Sequence, residues 1–320
     1  MAEPFGALIV ARAVPPVVPP RYPLPMRGIR FLQLDVFSER PGGGNPLGVV
    51  LGADGWSDTR MQSLARWLDL VETTFVLPAT LPGADYRLRI FTPTREIPFA
   101  GHPSVGTAHA VLATGAAMPT QGRLVQECGA GLLPLRITGE PGAWRIAVQS
   151  PPARCVRRAP DIDPGLDAIV DGITTGPSPT ALVEGGRRWW VVEFADVAAL
   201  RNWRAPHAAI AAMARATDSL GIAAFAREPG ESPAIVVRAF PCGIGIDEDP
   251  ASGAANGLIA AWLHDLEPAG ALSRGYTVSQ GREIGHDARL DVAIDADGTV
   301  WVGGRSHVVV DGRLEWPEAA

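Results

Sequence analysis

Cysteine is scarce in this chain. The three present, Cys128, Cys155 and Cys242, are too few and too scattered for a disulfide framework or a paired-cysteine metal site. A reducing cytoplasm is the compartment they suit. Basic runs are missing, and a formal charge of −6 argues against nucleic acid as a partner. No apolar run approaches the roughly 20 residues a spanning helix needs, so no membrane partner is expected. Histidines are not clustered either. His109 lies two helical turns beyond His102, and His207, His264, His286 and His307 stand apart, so no metal site is expected. The run Gly42-Gly43-Gly44 lacks the following Gly-Lys-Ser/Thr of a phosphate loop, and no helical pattern opens after it. It reads as a turn.

What the chain does have is an organised stretch from Arg87 to Ala113, with Glu72 shortly before it. Leu88 and Ile90 alternate as in a strand, which breaks at Thr92-Pro93-Thr94 and again at Gly101-His102-Pro103. The pattern predicts a helix over 104–114 with Pro103 at its first position, where a missing N–H is tolerated. A loop running into a bare helix N-terminus favours an anion, and a substrate carboxylate suits it.

The arrangement recurs half a chain later. Arg89-Ile90-Phe91-Thr92-Pro93 resembles Arg238-Ala239-Phe240-Pro241, and His102-Pro103 falls opposite Asp249-Pro250. Leu70 to Phe75 aligns with Leu220 to Phe225, which sets Glu72 opposite Ile222. Self-similarity at this distance indicates a duplicated domain. A symmetric body with an asymmetric set of ionisable groups points to an enzyme.

Residues 1–27 are rich in proline, which blocks helix and central strand alike, and read as a disordered leader. Glu3 and the prolines make a targeting peptide a poor match. Folded sequence begins near Gly28. Residues 28–150 are expected to form a first lobe and 151–304 a second, with a strand near 305–316 returning to the first. The polar stretch 153–179 reads as a connection, and Ala205 to Ser219 as a helix. Strands outnumber helices, and the helices over 104–114 and 251–264 are apolar on most sides, as buried helices are. The expected fold is α+β: two pseudo-symmetric lobes, each a curled, mostly antiparallel sheet or barrel around a central helix.

The segments QLDVFSERPGGGNPLGVV (33–50), LVETTFV (70–76), RIFTPTREIPFAGHPSVGTAH (89–109), GIDEDPASGAANG (245–257), Gln280-Gly281-Arg282 and WVGGRSHVVVDGRL (301–314) together resemble the phenazine-biosynthesis PhzF-like family, within the diaminopimelate-epimerase-like fold. The resemblance covers nearly everything from 29 to 316. It implies a cofactor-independent isomerase with its site in a cleft between two lobes, a homodimer, and a small carboxylate-bearing substrate. It carries the acid/base role to Glu72 and substrate-binding and proton-steering roles to His102 and Asp249. Further substrate-binding positions implied are Asn45, Gly101, Ser104, Gly253, Ala254, Gln280 and Gly281.

The family pattern after the aspartate commonly has a serine where this chain has Ala254. That loss of a hydroxyl keeps a second reading open, a non-catalytic small-acid-binding or accessory protein of the same fold. A two-cysteine racemase or epimerase needs a thiol at each helix start, and these turns carry His102-Pro103-Ser104 and Asp249-Pro250-Ala251-Ser252 instead. Desolvation of Glu72 beside Phe75 and Leu77 would lift its pKa toward neutrality. Asp249 suits a helix N-cap. Glu96 and Glu248 read as solvated loop acids in matching positions of the two copies, and Cys242 as a buried small residue.

Overall fold

A computed structural model describes residues 28–228, 230 and 234–317; the proline-rich leader at 1–27 lies outside the described residues. Strands β1 (Ile29–Val36) and β2 (Asn45–Leu51) pair antiparallel. Helix α1 (Asp58–Leu68) then crosses to β3 (Glu72–Leu77), parallel to β2, and β4 (Tyr86–Phe91) returns antiparallel to β3. A short β5 (Glu96–Ile97) leads to α2 (Gly101–Thr114). After it, β6 (Arg123–Cys128), parallel to β4, opens a meander with β7 (Gly131–Thr138) and β8 (Arg145–Gln149).

The second half follows the same plan. After β9 (Arg154–Arg158) and α3 (Pro164–Val170), β10 (Ala181–Gly185) pairs antiparallel with β11 (Arg187–Glu193). Helices α4 (Val197–Asn202) and α5 (His207–Ala216) cross to β12 (Ile222–Arg227), parallel to β11, and β13 (Ile235–Phe240) returns. Helix α6 (Gly253–Leu266) precedes a second meander of β14 (Gly275–Gln280), β15 (Ala288–Ile294) and β16 (Val300–Gly304), with β14 parallel to β13. The last strand is β17 (Ser306–Leu314).

Apart from the short β4–β5 pairing, the sense of each pairing from β1 to β8 recurs from β10 to β16. The two meanders meet where β8 pairs with β16, so the halves share one curled sheet. Beyond that seam the chain exchanges partners. Strand β9 leaves β8 to pair with β10, and β17 leaves β16 to pair with β1.

Burial explains the two central helices. From His102 to Leu112 every residue of α2 is buried, and α6 is buried from Ala255 to Ala260. An amphipathic helix could not sit there, because no side faces water. Helix α2 packs inside β1, β2, β3 and β8, and α6 inside β10, β11, β15 and β16. The outer helices close smaller cores, with Met61, Leu64 and Phe75 under α1 and Ile210, Met213 and Trp190 under α5.

Helix α2 begins at Gly101, not at 104, which makes Pro103 its third residue. An N–H there would have had no acceptor inside the helix, so the proline is tolerated. The helix expected over 205–219 is α5, shorter at both ends, and the separate α4 precedes it; Pro206 restricts Ala205 between the two. The stretch 153–179 is not a bare connection, since it carries β9 and α3.

Glu96 and Glu248 are not free acids. Arg89 and Arg238, each the fourth residue of its strand, grip them by two bonds apiece: Arg89 Nε and Nη2 donate to Glu96 at 2.7 and 2.6 Å, and Arg238 to Glu248 at 2.9 and 2.8 Å. The second pair is the buried one, with side chains 7% and 5% exposed. Arg238 also donates to the carbonyls of Leu200 and Trp203 at 3.1 and 2.6 Å. Removing Arg238 would strand a buried carboxylate, whereas Glu96 is well hydrated. Arg238→Ala is therefore expected to lose about 3 kcal/mol or more, and Arg89→Ala about 1 kcal/mol or less. Urea denaturation of both variants measures this, and equal losses would refute the burial argument.

Candidate active site

The N-termini of α2 and α6 meet head to head. A Cβ on either Gly101 or Gly253 would stand 3.3 Å from the Cα of the other, so a side chain at either position would press the two helix ends apart by a few tenths of an ångström. The local twofold relation passes between these residues. It places His102 opposite Ala254, not opposite Asp249, because the second copy spends more residues between β13 and its helix. Ser252 caps α6 by accepting from the Ala255 N–H at 3.3 Å, so Asp249 is not the N-cap. Ala100 gives α2 no side-chain cap.

Around this junction the chain gathers its ionisable groups. Glu72 opens β3 and is 9% exposed; His102, in the first turn of α2, is 6% exposed. His102 Nε2 lies 3.3 Å from Glu72 Oε2, and neither atom has a hydrogen-bond partner among the described residues. Burial pushes the His102 imidazole down to about 3, against the opposing effect of a hydrogen bond to the Pro46 carbonyl. Burial, followed by the negative charge of Asp249, lifts the Glu72 carboxyl to about 8. At neutral pH the contact is therefore between a carboxylic acid and a neutral imidazole, not an ion pair.

The source of that burial differs from the expectation. Phe75 packs beneath α1, on the opposite face of β3. Glu72 shares its face with Thr74, whose hydroxyl meets that of Thr107 on α2 at 2.9 Å. Helix α2, rather than Phe75 and Leu77, desolvates the glutamate.

Asp249 is held from several sides. Its N–H donates to the Ala239 carbonyl at 2.9 Å, a bridge to the end of β13. Asn45 Nδ2 donates to Asp249 Oδ1 and to the Ala251 carbonyl, both at 3.0 Å. Ala251 N–H donates to the same carboxyl oxygen at 3.1 Å. Burial raises the carboxyl to about 6, and the bonds from Ala251, Ser252 and Asn45 oppose the rise. Gln280 completes the frame: its Nε2 donates to the Asp249 carbonyl at 2.8 Å, and its Oε1 accepts from Ser252 N–H at 3.3 Å and Asn256 Nδ2 at 2.9 Å. Gly281 follows it in a left-handed turn.

The structure thus brings together Glu72, His102, Asp249, Asn45, Gly101, Gly253, Gln280 and Gly281. Ala254 is exposed in the first turn of α6. Ser104 does not join them. Its hydroxyl is fully buried, donating to the Ala100 carbonyl at 2.9 Å and accepting from Gln126 at 3.0 Å. Two residues outside the expected set, Asn256 and His286, also lie here. Asn256 lies one helical turn after the Ser252 cap, a spacing that signals an inward polar residue; nothing in the sequence places His286 near the cleft. Among the described residues no group of three His, Cys, Asp or Glu side chains is arranged to hold a metal, and no helix is long and apolar enough to cross a membrane.

The raised Glu72 carboxyl has a consequence for stability. Between 4.5 and about 8 the folded state keeps a proton that the unfolded chain has lost. This stabilising contribution is complete at low pH and disappears as pH rises through about 8. Glu72→Gln should therefore match the wild type in acid and exceed its stability in alkali by a few kcal/mol, on the order set by the shift. Urea titrations across pH test this; parallel curves for the two proteins would show that Glu72 ionises normally.

Comparison with known proteins agrees with the geometry. The phenazine biosynthesis-like protein family matches residues 34–312. Antisense-enhancing sequence 1 of Schizosaccharomyces pombe is 32% identical over 293 residues, covering 88% of this chain and 97% of that protein. Trans-2,3-dihydro-3-hydroxyanthranilate isomerase of Pseudomonas aeruginosa is also 32% identical, covering 89% and 98%. The crystal structure of a PhzF-family phenazine biosynthesis protein from Bacillus anthracis superposes with a TM-score of 0.77 at 25% identity, covering 91% of this chain and all of that one. A probable proline racemase of Agrobacterium radiobacter shares the fold alone, with a TM-score of 0.60 at 16% identity over 90% of this chain and 93% of that one. With a diaminopimelate-epimerase-type fold and a family match across nearly the whole described chain, this protein belongs to the phenazine biosynthesis-like protein family, as one of its isomerases.

Proposed function

We propose that the chain moves a proton between carbons of a small, unsaturated or amino- or hydroxy-bearing carboxylate, with Glu72 as the acid/base group. The observation that carries this reading is the buried Glu72, lifted to about 8, beside His102 and the Gly101–Gly253 junction. A carboxyl that titrates near neutrality can both take a proton from carbon and return one. Asp249, raised only to about 6, is ionised at pH 7 and accepts hydrogen bonds from a substrate amine or hydroxyl. Two neighbouring carboxyls pushed to different values divide the roles of proton carrier and charged anchor.

The first N–H groups of α2 and α6 have no acceptors inside their own helices. They converge at the glycine junction, where they would hold the substrate carboxylate and stabilise charge delocalised through it as the C–H bond opens. The steps balance without redox change. In its ionised fraction Glu72 removes a proton, the electron pair shifts along the conjugated system, and Glu72, whose carboxyl hydrogen exchanges with solvent, delivers a proton to another carbon. His102 Nε2, an unpartnered acceptor 3.3 Å from Glu72, suits a transient proton relay. No cofactor is required by this sequence of steps.

The relative from Pseudomonas aeruginosa is named for trans-2,3-dihydro-3-hydroxyanthranilate, which supplies the first probe. Incubated in D2O with this compound and a panel of cyclic and amino carboxylates, the wild type is expected to place deuterium on carbon. Glu72→Gln should lose roughly 100-fold or more of the exchange rate. Full exchange by Glu72→Gln would remove Glu72 from the mechanism. Ala254, exposed and apolar at the start of α6, favours a second reading as a small-acid binder; binding without exchange across the panel would establish that reading instead.

A further inference from the structure

His286 lies outside the acid/base set just described, yet it is tied to it by geometry. It follows the turn of residues 282–284 after β14, with its N–H donating to the Gly281 carbonyl at 2.9 Å. Its ring Nδ1 lies 2.7 Å from the Gly44 carbonyl, across the boundary between the two halves of the chain. The next residue repeats the crossing, with Asp287 N–H donating to the Gly43 carbonyl at 2.7 Å.

The receiving loop is itself rigid. Asp35, at the end of β1, accepts from the N–H groups of Gly42, Gly43 and Gly44 at 2.7 to 3.0 Å. The residue after Gly44 is Asn45, which donates to Asp249. His286 and Asp249 are thus fastened to neighbouring residues of one braced loop. They also approach from the other side. A Cβ on Gly281 would fall 2.9 Å from the His286 Cβ and 2.6 Å from the carbonyl oxygen of Pro250, the residue after Asp249. Only a bare glycine separates the two.

We propose that His286 is a positioning residue of the site, whose ring holds the Gly44–Asn45 loop in register and so keeps the Asn45 amide on Asp249. A carbonyl acceptor requires a hydrogen on Nδ1, so the ring is the donor to Gly44. The Asn45 bond it supports is one of those that stabilise the Asp249 carboxylate. The acids that flank the latch have partners of their own: Asp287 is bound by Arg282 at 2.8 Å, Glu283 by Arg201, and Asp35 by the glycine N–H groups.

This rests on the reading of Asp249 as a charged anchor, but its test needs neither substrate nor turnover. The protein is labelled with carboxyl-¹³C aspartate, the Asp249 signal is assigned by its loss in Asp249→Asn, and its titration is followed by NMR. His286→Ala removes the bond to Gly44; His286→Asn keeps a side-chain N–H for it. With the Asn45 bond weakened, the Asp249 midpoint is expected to move upward in His286→Ala, well outside fitting error, and to return toward the wild-type value in His286→Asn. An Asp249 titration in folded His286→Ala that superposes on the wild type would overturn the proposal, whatever the exchange screen finds.

Discussion

The structure turns on a contact that electrostatics disfavours: two helices directing their N-termini at each other across a pair of glycines. Each end carries a partial positive charge and unsatisfied N–H groups. Brought together, they repel unless negative charge is placed between or beside them. The chain supplies some of it permanently through Asp249 and the Ser252 cap, both on the α6 side. The α2 side has no side-chain cap at all. The small carboxylate proposed as substrate would complete the neutralisation.

Duplication produced the geometry, and departures from symmetry produced the chemistry. Glu72 begins β3 where Ile222 begins β12, and His102 follows Gly101 where Ala254 follows Gly253. The second copy instead contributes Asp249, from a longer approach to its helix. Under the proposed function, one lobe therefore carries the groups that exchange protons, and the other carries the charged anchor. The arginine clamps show the same drift: the same fourth strand position binds a glutamate in both halves, exposed in one and buried in the other.

Much of this was legible in the residues. Alternation of Leu88 and Ile90 marked β4, apolar composition marked the central helices, and the repeated Arg-x-Phe segments disclosed the duplication. Glu72 and His102 were found through their motifs, and their contact follows from strand and helix meeting at one end. The failures have physical causes. Aligning by residue order paired His102 with Asp249, because an insertion before α6 cannot be seen until Gly101 and Gly253 locate the symmetry relation. The resemblance implies a substrate-binding Ser104, yet helical rotation turns its hydroxyl toward Gln126. Phe75 is near Glu72 in sequence but packs on the other face of its strand, under α1. His286 was missed because its bond to Gly44 joins residues 242 positions apart, which no local pattern encodes.

The exchange of β9 and β17 between halves bears on how the chain is born. Strand β1 is made first among the described elements, yet its partner β17 is almost the last, and Arg30 waits 281 residues for Asp311. At ribosomal rates of about 5–20 residues per second, that delay is on the order of tens of seconds. Throughout it the nascent first lobe presents an open strand edge, the kind of surface that other chains can join. The strand exchange that ties the two halves together thus makes synthesis a period of exposure for β1.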